Sequence, residues 1–190
     1  MKDSRISARI RRRKKYRIHQ GDIIRDVTVV SVKRKDKVIK ANYPYLIVMT
    51  QDCDLEQDFD ARKKIGGSQD AYLINILVCP AYSLETFQKW EHLTYGWTIL
   101  KRQEFAGKGI DKVKHNREPR YYFLEWDVKM WIPDLVLDFK LFLTIDRMEL
   151  YSHFNKHYVV SIEELFREYA MQKFANFLSR IWLPTFQKES

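Results

Sequence analysis

Three apolar runs, "DIIRDVTVVSV" (residues 22–32), "KVIKANYPYLIVMT" (37–50) and "AYLINILVCPAYS" (71–83), restrict the fold more than any other feature of the chain. They are rich in β-branched and aromatic residues, which lose rotamer freedom in a helix but pack well on a pleated surface. Turn chemistry bounds each run. Gly21-Asp22 opens the first, the polar stretch Lys33 to Asp36 separates it from the second, and "DFDARKKIGGSQD" (58–70) is a charged loop with a Gly-Gly hinge before the third. The first half of the chain is therefore expected to be built of short strands.

From Ser83 the period changes. Ser83 can cap "LETFQKWEHL", in which Leu84, Phe87, Trp90 and Leu93 recur at helical spacing. The polar, Gly-bearing stretch that follows, up to Arg120, is a loop or short helix outside the main sheet, and strands resume with "RYYFLEW" and "DLVLDFKLFLTI". Ser161 and Glu164 have the spacing of a capping box, which predicts a terminal helix over 161–183 with Ile162, Leu165, Phe166, Tyr169, Ala170, Phe174, Phe177, Leu178 and Ile181 on its apolar face and Pro184 as its stop. Together these elements predict an α+β, β-rich fold: a small barrel with a helical insertion at about 84–120 and a long C-terminal helix. Residues 20–184 form one domain in this reading, with a tail at 185–190.

At 190 residues and 45% hydrophobic, the chain has enough apolar surface for one core. No apolar stretch approaches the roughly 18 residues that cross a bilayer, and no h-region follows the basic start, so neither membrane span nor signal peptide is predicted and the compartment is read as cytoplasmic. Cys53 and Cys79 follow no metal-ligand or redox spacing and are read as reduced thiols. The net charge of +9 is concentrated at one end: residues 1–20 hold nine basic residues against one acid, a net +8. Residues 1–19 are accordingly read as a basic arm. It is either solvated and mobile or a weak nucleic-acid-binding arm through Arg11, Arg12, Arg13, Lys14 and Lys15.

The second run stops abruptly in "TQDCDLEQDFD" (50–60), a cysteine among carboxylates. A calcium loop counted from Asp52 would need glycine at its sixth position and glutamate at its twelfth, where Gln57 and Lys63 stand. Asp52 and Asp54 would disfavour a Cys53 thiolate. Three readings remain for the stretch: Cys53 tucked beneath a loop with Asp52 and Asp54 bonding nearby amides, an acidic partner-binding loop, or a catalytic or metal site. His153 and His157, four apart around Asn155-Lys156, read as a hairpin, and no further zinc ligands accompany them. No metal and no cofactor are predicted. His115 lies among Lys112, Lys114, Arg117 and Arg120, before Tyr121, Tyr122 and Phe123, which reads as a solvated loop entering a core strand or as a single-strand-binding surface.

The order "QGDII", "YPYLIVMTQDCD", "NILVCPAYS" and "VLDFKLFLTIDRMEL", followed by a terminal helix, resembles the MazF/PemK growth-inhibitor family over roughly Gln20 to Leu150. In that family a Gly-Asp opens the barrel, an Arg-Pro begins the next strand, a Pro-x-Thr closes the one after, and an Asp-bearing strand precedes the helix. The resemblance implies an SH3-like barrel, frequently a homodimer, that cleaves single-stranded RNA without a metal and is restrained by a partner protein. Tyr43, directly before Pro44, stands where the family has its arginine, and Tyr82, two after Pro80, where it has its threonine. Tyrosine keeps a hydroxyl but supplies no cation for a phosphorane-like transition state.

Two functions follow from the resemblance. One is a non-catalytic regulatory binding protein of a prokaryotic stress or antiphage system, CRISPR-linked systems included, that sequesters a protein partner such as a sigma factor or antitoxin. Its partner-binding residues would be Tyr43 and Tyr82, with Asp52, Asp54 and Glu56 as an acidic rim selecting a basic segment. The alternative is a divergent, metal-independent endoribonuclease toxin.

Overall fold

The computed structural model describes residues 10–11, 16–34, 37–64, 66, 69–89, 91–93, 108–126 and 132–179. In chain order these form β1 (Ile10–Arg11), β2 (Asp22–Arg34), β3 (Lys37–Val48), α1 (Asp52–Lys63), β4 (Asn75–Ser83), α2 (Leu84–Gln88) and α3 (Lys108–Lys114). Then follow β5 (Tyr121–Leu124), β6 (Leu135–Asp138), β7 (Leu143–Asp146), α4 (Arg147–His157), β8 (Tyr158–Ile162) and α5 (Glu164–Leu178). The strands make one antiparallel sheet in the order β1-β8-β2-β3-β4-β6-β5, with β7 also paired to β4. Among the described residues the path runs from β1 to β5 without closing. The fold is α+β with a β-rich centre.

β4 organises the sheet because it has neighbours on both edges. Tyr45–Val48 of β3 pairs along one edge, while the other edge is divided between β7, opposite Asn75–Val78, and β6, opposite Ala81–Ser83. Leu77 turns its backbone groups toward the first edge, where its carbonyl accepts from Met49 N at 2.8 Å and its amide donates to Thr50 Oγ1 at 2.8 Å. Backbone direction alternates along a strand, so Pro80 faces the other edge, at the gap between β7 and β6. Proline has no N–H to donate, and it stands where the ladder has no partner to receive one.

Alternation along the strands gives the sheet two apolar faces. Ile23, Ile47, Leu135 and Leu137 pack with Ala170 and Phe174 of α5, whereas Ile24, Leu46, Val48 and Val78 pack with Leu55 of α1 and Leu150 and Phe154 of α4. The chain between β4 and β5, expected outside the main sheet, lays Phe87, Ile110 and Val113 over Tyr121, Phe123 and Val136. Tyr121, Tyr122 and Phe123 are thus core residues, 4%, 2% and 6% exposed, rather than the open stacking faces a single-strand-binding surface would need. Residue 90 and residues 94–107 of the expected insertion lie outside the described residues, as does everything after Ser179.

Several local expectations are corrected. Helix α1 replaces the loop expected from residue 51 and the first part of the charged loop at 58–70; it was illegible by period because Leu55 and Asp58 are its only buried residues. Asp146 caps α4 by accepting from Met148 N and Glu149 N, so His153 and His157 share a helix rather than a hairpin, with ring centroids 6.2 Å apart. Ser161 does not cap the last helix. It belongs to β8, where its hydroxyl donates to the Asp22 carboxylate, and α5 begins after Glu163 with no side-chain cap. Leu165, Tyr169 and Leu178, expected on the buried face of that helix, are exposed. The Ser83 cap holds: its hydroxyl accepts from Thr86 N at 3.1 Å, although α2 ends at Gln88.

Gly21 and Asp22 join the two halves of the sheet. Gly21 has φ +82°, and a Cβ there would meet the Arg167 side chain at 3.1 Å. Its carbonyl accepts from Ile162 N at 3.0 Å, while Asp22 accepts from His19 N at 2.7 Å as well as from Ser161. The outer edge of β5 is closed by a side chain: Asn116, itself at φ 54°, accepts from Phe123 N at 2.7 Å and donates to Phe123 O at 3.0 Å.

Asp58 fixes α1 and α4 to the sheet. Its carboxylate accepts from Arg147 Nε, from Arg62 Nε at 2.7 Å and from Leu73 N at 2.9 Å, and both Asp58 and Arg147 are buried. Asp58→Ala is expected to leave Arg147 as an uncompensated buried charge and to lower unfolding free energy by about 3 kcal/mol or more. Urea unfolding followed by circular dichroism measures this; a loss below about 1 kcal/mol would show that water reaches Arg147 freely.

Candidate functional site

The residues expected to bind a partner divide between surface and core. Asp52 is the first residue of α1, a position where negative charge complements the helix dipole. It is already engaged. Arg17 grips it through two bonds, Nη1 to Oδ1 at 3.2 Å and Nη2 to Oδ2 at 3.0 Å. The Gln20 amide donates to Oδ1 at 3.1 Å, and His19 Nδ1 lies 3.2 Å from the same oxygen. Burial works against the charged carboxylate, but the His19, Arg17 and Gln20 bonds and the Arg17 charge outweigh it and hold the Asp52 carboxyl well below its ordinary range.

This cluster moves the boundary of the basic arm. Arg17, Ile18 and His19 are buried parts of the body, and Ile10–Arg11 pairs with β8 opposite Ile162 and Ser161. Arg11 enters the sheet through its backbone; Arg12, Arg13, Lys14 and Lys15 lie outside the described residues. The arm expected over 1–19 therefore gives way to packed structure by Tyr16. Tyr16 is 59% exposed and meets Phe59 of α1 edge-on, with ring centroids 6.0 Å apart. Lys63 Nζ sits 3.8 Å from the Phe59 ring centroid.

Asp54 and Glu56 remain exposed on the first turns of α1, Glu56 with Arg17 Nη2 at 3.7 Å. Cys53 is exposed next to Asp54 rather than tucked beneath a loop, its Sγ 3.6 Å from Gln51 Oε1 and 3.7 Å from Asp54 Oδ1. Cys79, the other free cysteine, is buried against the Asp138 carbonyl at 3.4 Å, and burial together with the Asp138 charge pushes its thiol pKa well up. It is a packing residue, not a nucleophile.

Tyr43 and Tyr82 pack in different surroundings. Tyr43 is half-buried against the Ile24, Leu46 and Val48 cluster. Tyr82 is only 2% exposed, opposite Val136 in β6, with its ring centroid 5.1 Å from that of His92. The aromatic groove expected beside the acidic rim is thereby corrected: alternation along β4 sends Tyr82 into the core, and what persists at the surface is Asp54, Glu56, Tyr16 and Phe59.

Sequence reasoning missed the buried ion pairs. Arg120, assigned to a solvated loop, clasps the fully buried Asp138 with bonds of 2.7 and 2.6 Å. Lys173 donates to the carbonyls of Asn116 at 2.9 Å and Tyr121 at 2.6 Å, and burial lowers its pKa to about 8. Pairings between residues 18 to 89 positions apart leave no periodic trace in a sequence.

No family model matches the chain, and no curated protein matches it at a significant level. Among the described residues, no group of three or more His, Cys, Asp or Glu side chains is placed to hold a metal ion, and no helix is long and apolar enough to cross a membrane.

The Arg17–Asp52 clasp has a pH signature. The folded carboxyl titrates below its ordinary value of 3.8, so its contribution is complete above about pH 5 and disappears as pH falls through the folded value. About 30% of the Asp52 side chain is still wet, which limits the contribution to about 1 to 2 kcal/mol. Thermal melts between pH 6 and pH 2 should show Asp52→Asn less stable than wild type at neutral pH, with the difference closing in acid. A gap that stays constant across that range would remove the clasp as its cause.

Proposed function

We propose that the chain is a non-catalytic regulatory binding protein, related to the MazF/PemK barrels, that sequesters a protein partner through a basic segment of that partner. In this reading the bent sheet is such a barrel left open between β1 and β5, and the setting is a prokaryotic stress or antiphage system in which a sigma factor or antitoxin supplies the basic segment. The observation that carries it is the burial of Tyr82. Tyr82 is only 2% exposed, which leaves it little surface to offer a phosphate, and by the resemblance it stands where the ribonuclease chemistry needs a hydroxyl. The cation is missing too: Tyr43, not arginine, precedes Pro44. Without a guanidinium aimed at the developing charge, the largest electrostatic contribution to phosphodiester cleavage is absent from that place.

The docking face is the N-terminal half of α1. Arg17 clasps Asp52 and also reaches Glu56 at 3.7 Å, whereas Asp54 presents its charge to water, and the exposed Tyr16 ring meets Phe59 of the same helix. Exposed carboxylates accelerate capture of a basic segment, and an aromatic beside them adds contact area at low entropic cost.

Two measurements test this. Single-stranded RNA incubated with the purified protein should stay intact when its ends are sequenced, and expression should not arrest growth. Site-specific cuts that vanish in Lys40→Ala would replace the proposal with the endoribonuclease toxin. Separately, Asp54→Asn combined with Glu56→Gln should weaken binding of a Lys/Arg-rich helical peptide about tenfold, or about 1.4 kcal/mol, in calorimetry at low salt. Equal affinity in the folded double variant would move the interface away from α1.

A further inference from the structure

Helix α4 is anchored along its length and carries two histidines on one flank. Asp146 caps its first turn, Arg147 is tied to Asp58 of α1, and Leu150 and Phe154 are buried in the cluster beneath it. Arg147, Leu150 and Phe154 mark the inner side of the helix. His153 follows Leu150 by three positions and His157 follows Phe154 by three, so both stand at the border of that inner side. Both are half-buried, whereas Ser152, Asn155 and Lys156 are exposed.

Residues four apart on a helix have Cβ atoms about 5 to 6 Å apart, and helical side chains lean toward the N-terminus, which brings the His157 ring back toward His153. The two ring centroids are 6.2 Å apart, with the planes inclined at 50°. Neither imidazole has a side-chain hydrogen bond or an ion pair among the described residues. The three other histidines each meet an oxygen: His19 lies against the Asp52 carboxylate, His92 has Asp138 Oδ2 at 4.0 Å, and His115 has the Asp111 carbonyl at 2.7 Å. Only this pair has, as its ring neighbour, another imidazole.

We propose that His153 and His157 form a two-ligand site for a divalent late transition metal ion of the zinc class. Two histidines one turn apart on a helix face have the spacing that helical zinc sites use, and imidazole suits zinc, copper and nickel, whereas magnesium and calcium take oxygen ligands. With bonds of about 2.0 to 2.1 Å, two imidazoles on one tetrahedral ion have centroids about 5 Å apart, and rotation of the two half-buried side chains supplies the remaining approach of about 1 Å. The place favours a cation as well. His157 is the last residue of α4, at the negative end of the helix dipole. Lys156 in the same turn opposes the ion, but it is exposed and its flexible stem carries the ammonium into water. Two protein ligands leave the other positions of the ion to water, so the site is open and exchangeable rather than a closed structural centre. The proposal rests on α4 alone and is independent of the protein-binding face on α1.

The test titrates the untagged full chain with zinc chloride in isothermal calorimetry at neutral pH, with thermal melts in the same solutions. Zinc should bind saturably and raise the melting midpoint, because an ion that binds only the folded chain stabilises it. His153→Gln and His157→Gln should each weaken zinc binding at least about tenfold and remove the zinc-dependent rise in midpoint. Cys53→Ala should bind zinc as the wild type does, which separates the pair from the exposed thiol, and magnesium should not bind. In the wild-type chain the imidazole C–H resonances of His153 and His157 should shift together on adding zinc, a readout that does not depend on any variant folding. Absence of saturable zinc binding by the wild type would overturn the proposal, as would unchanged zinc affinity in the two folded histidine variants. So would loss of binding in Cys53→Ala, or zinc-dependent shifts at other histidines with those of His153 and His157 unmoved.

Discussion

The fold depends on one strand being shared among three others. β4 holds β3 along one edge and hands its other edge from β7 to β6 within a few residues, and Pro80 sits at that transfer. A residue with an N–H at this point would present a donor to a gap. Proline removes the donor and fixes φ at the transfer between the two partner strands. The two-sided burial of β4 follows: with neighbours on both edges and helices over both faces, its residues from Val78 to Tyr82 are all buried. That also explains why Tyr82 is only 2% exposed.

Around this sheet, three partly or fully buried carboxylate–arginine contacts attach the segments that are not strands. Asp52 with Arg17 fastens the N-terminal segment to α1, Asp58 with Arg147 fastens α1 to α4, and Asp138 with Arg120 fastens the turn after α3 to the end of β6. Each partner is separated from the other by 18 residues or more, so the pairs form only when the whole topology is in place. Such pairs add little net stability compared with apolar side chains, but a misplaced segment would leave a charge buried alone. Specificity of arrangement is what they supply here.

Strands were legible in the sequence because β-branched alternation survives in any context. β2 and β3 lie where "DIIRDVTVVSV" and "KVIKANYPYLIVMT" place them to within two residues, while β4 takes only the part of "AYLINILVCPAYS" from Asn75 onward. Helix α1 was not legible, since a helix whose inner face is one leucine and one aspartate has no apolar stripe. Ser161 misled for a related reason: the spacing of a capping box is present, but its hydroxyl is used across the sheet by Asp22, and tertiary demand overrode the local signal. At the candidate site the exposed carboxylates Asp54 and Glu56 were readable as such, while the withdrawal of Asp52 by Arg17 and of Tyr82 by burial required coordinates.

The closure of β5 by Asn116 bears on the behaviour of many copies of the chain at once. An outermost strand with free amides and carbonyls is a template, and the four residues of β5, all buried on their faces, would be adhesive if that edge were open. Asn116 occupies both backbone groups of Phe123 with its own amide, as a neighbouring strand would. The sheet thus terminates in a side chain that imitates one more strand, with the Lys173 ammonium on the Tyr121 carbonyl beside it, and edge-to-edge pairing with further copies is disfavoured at that end.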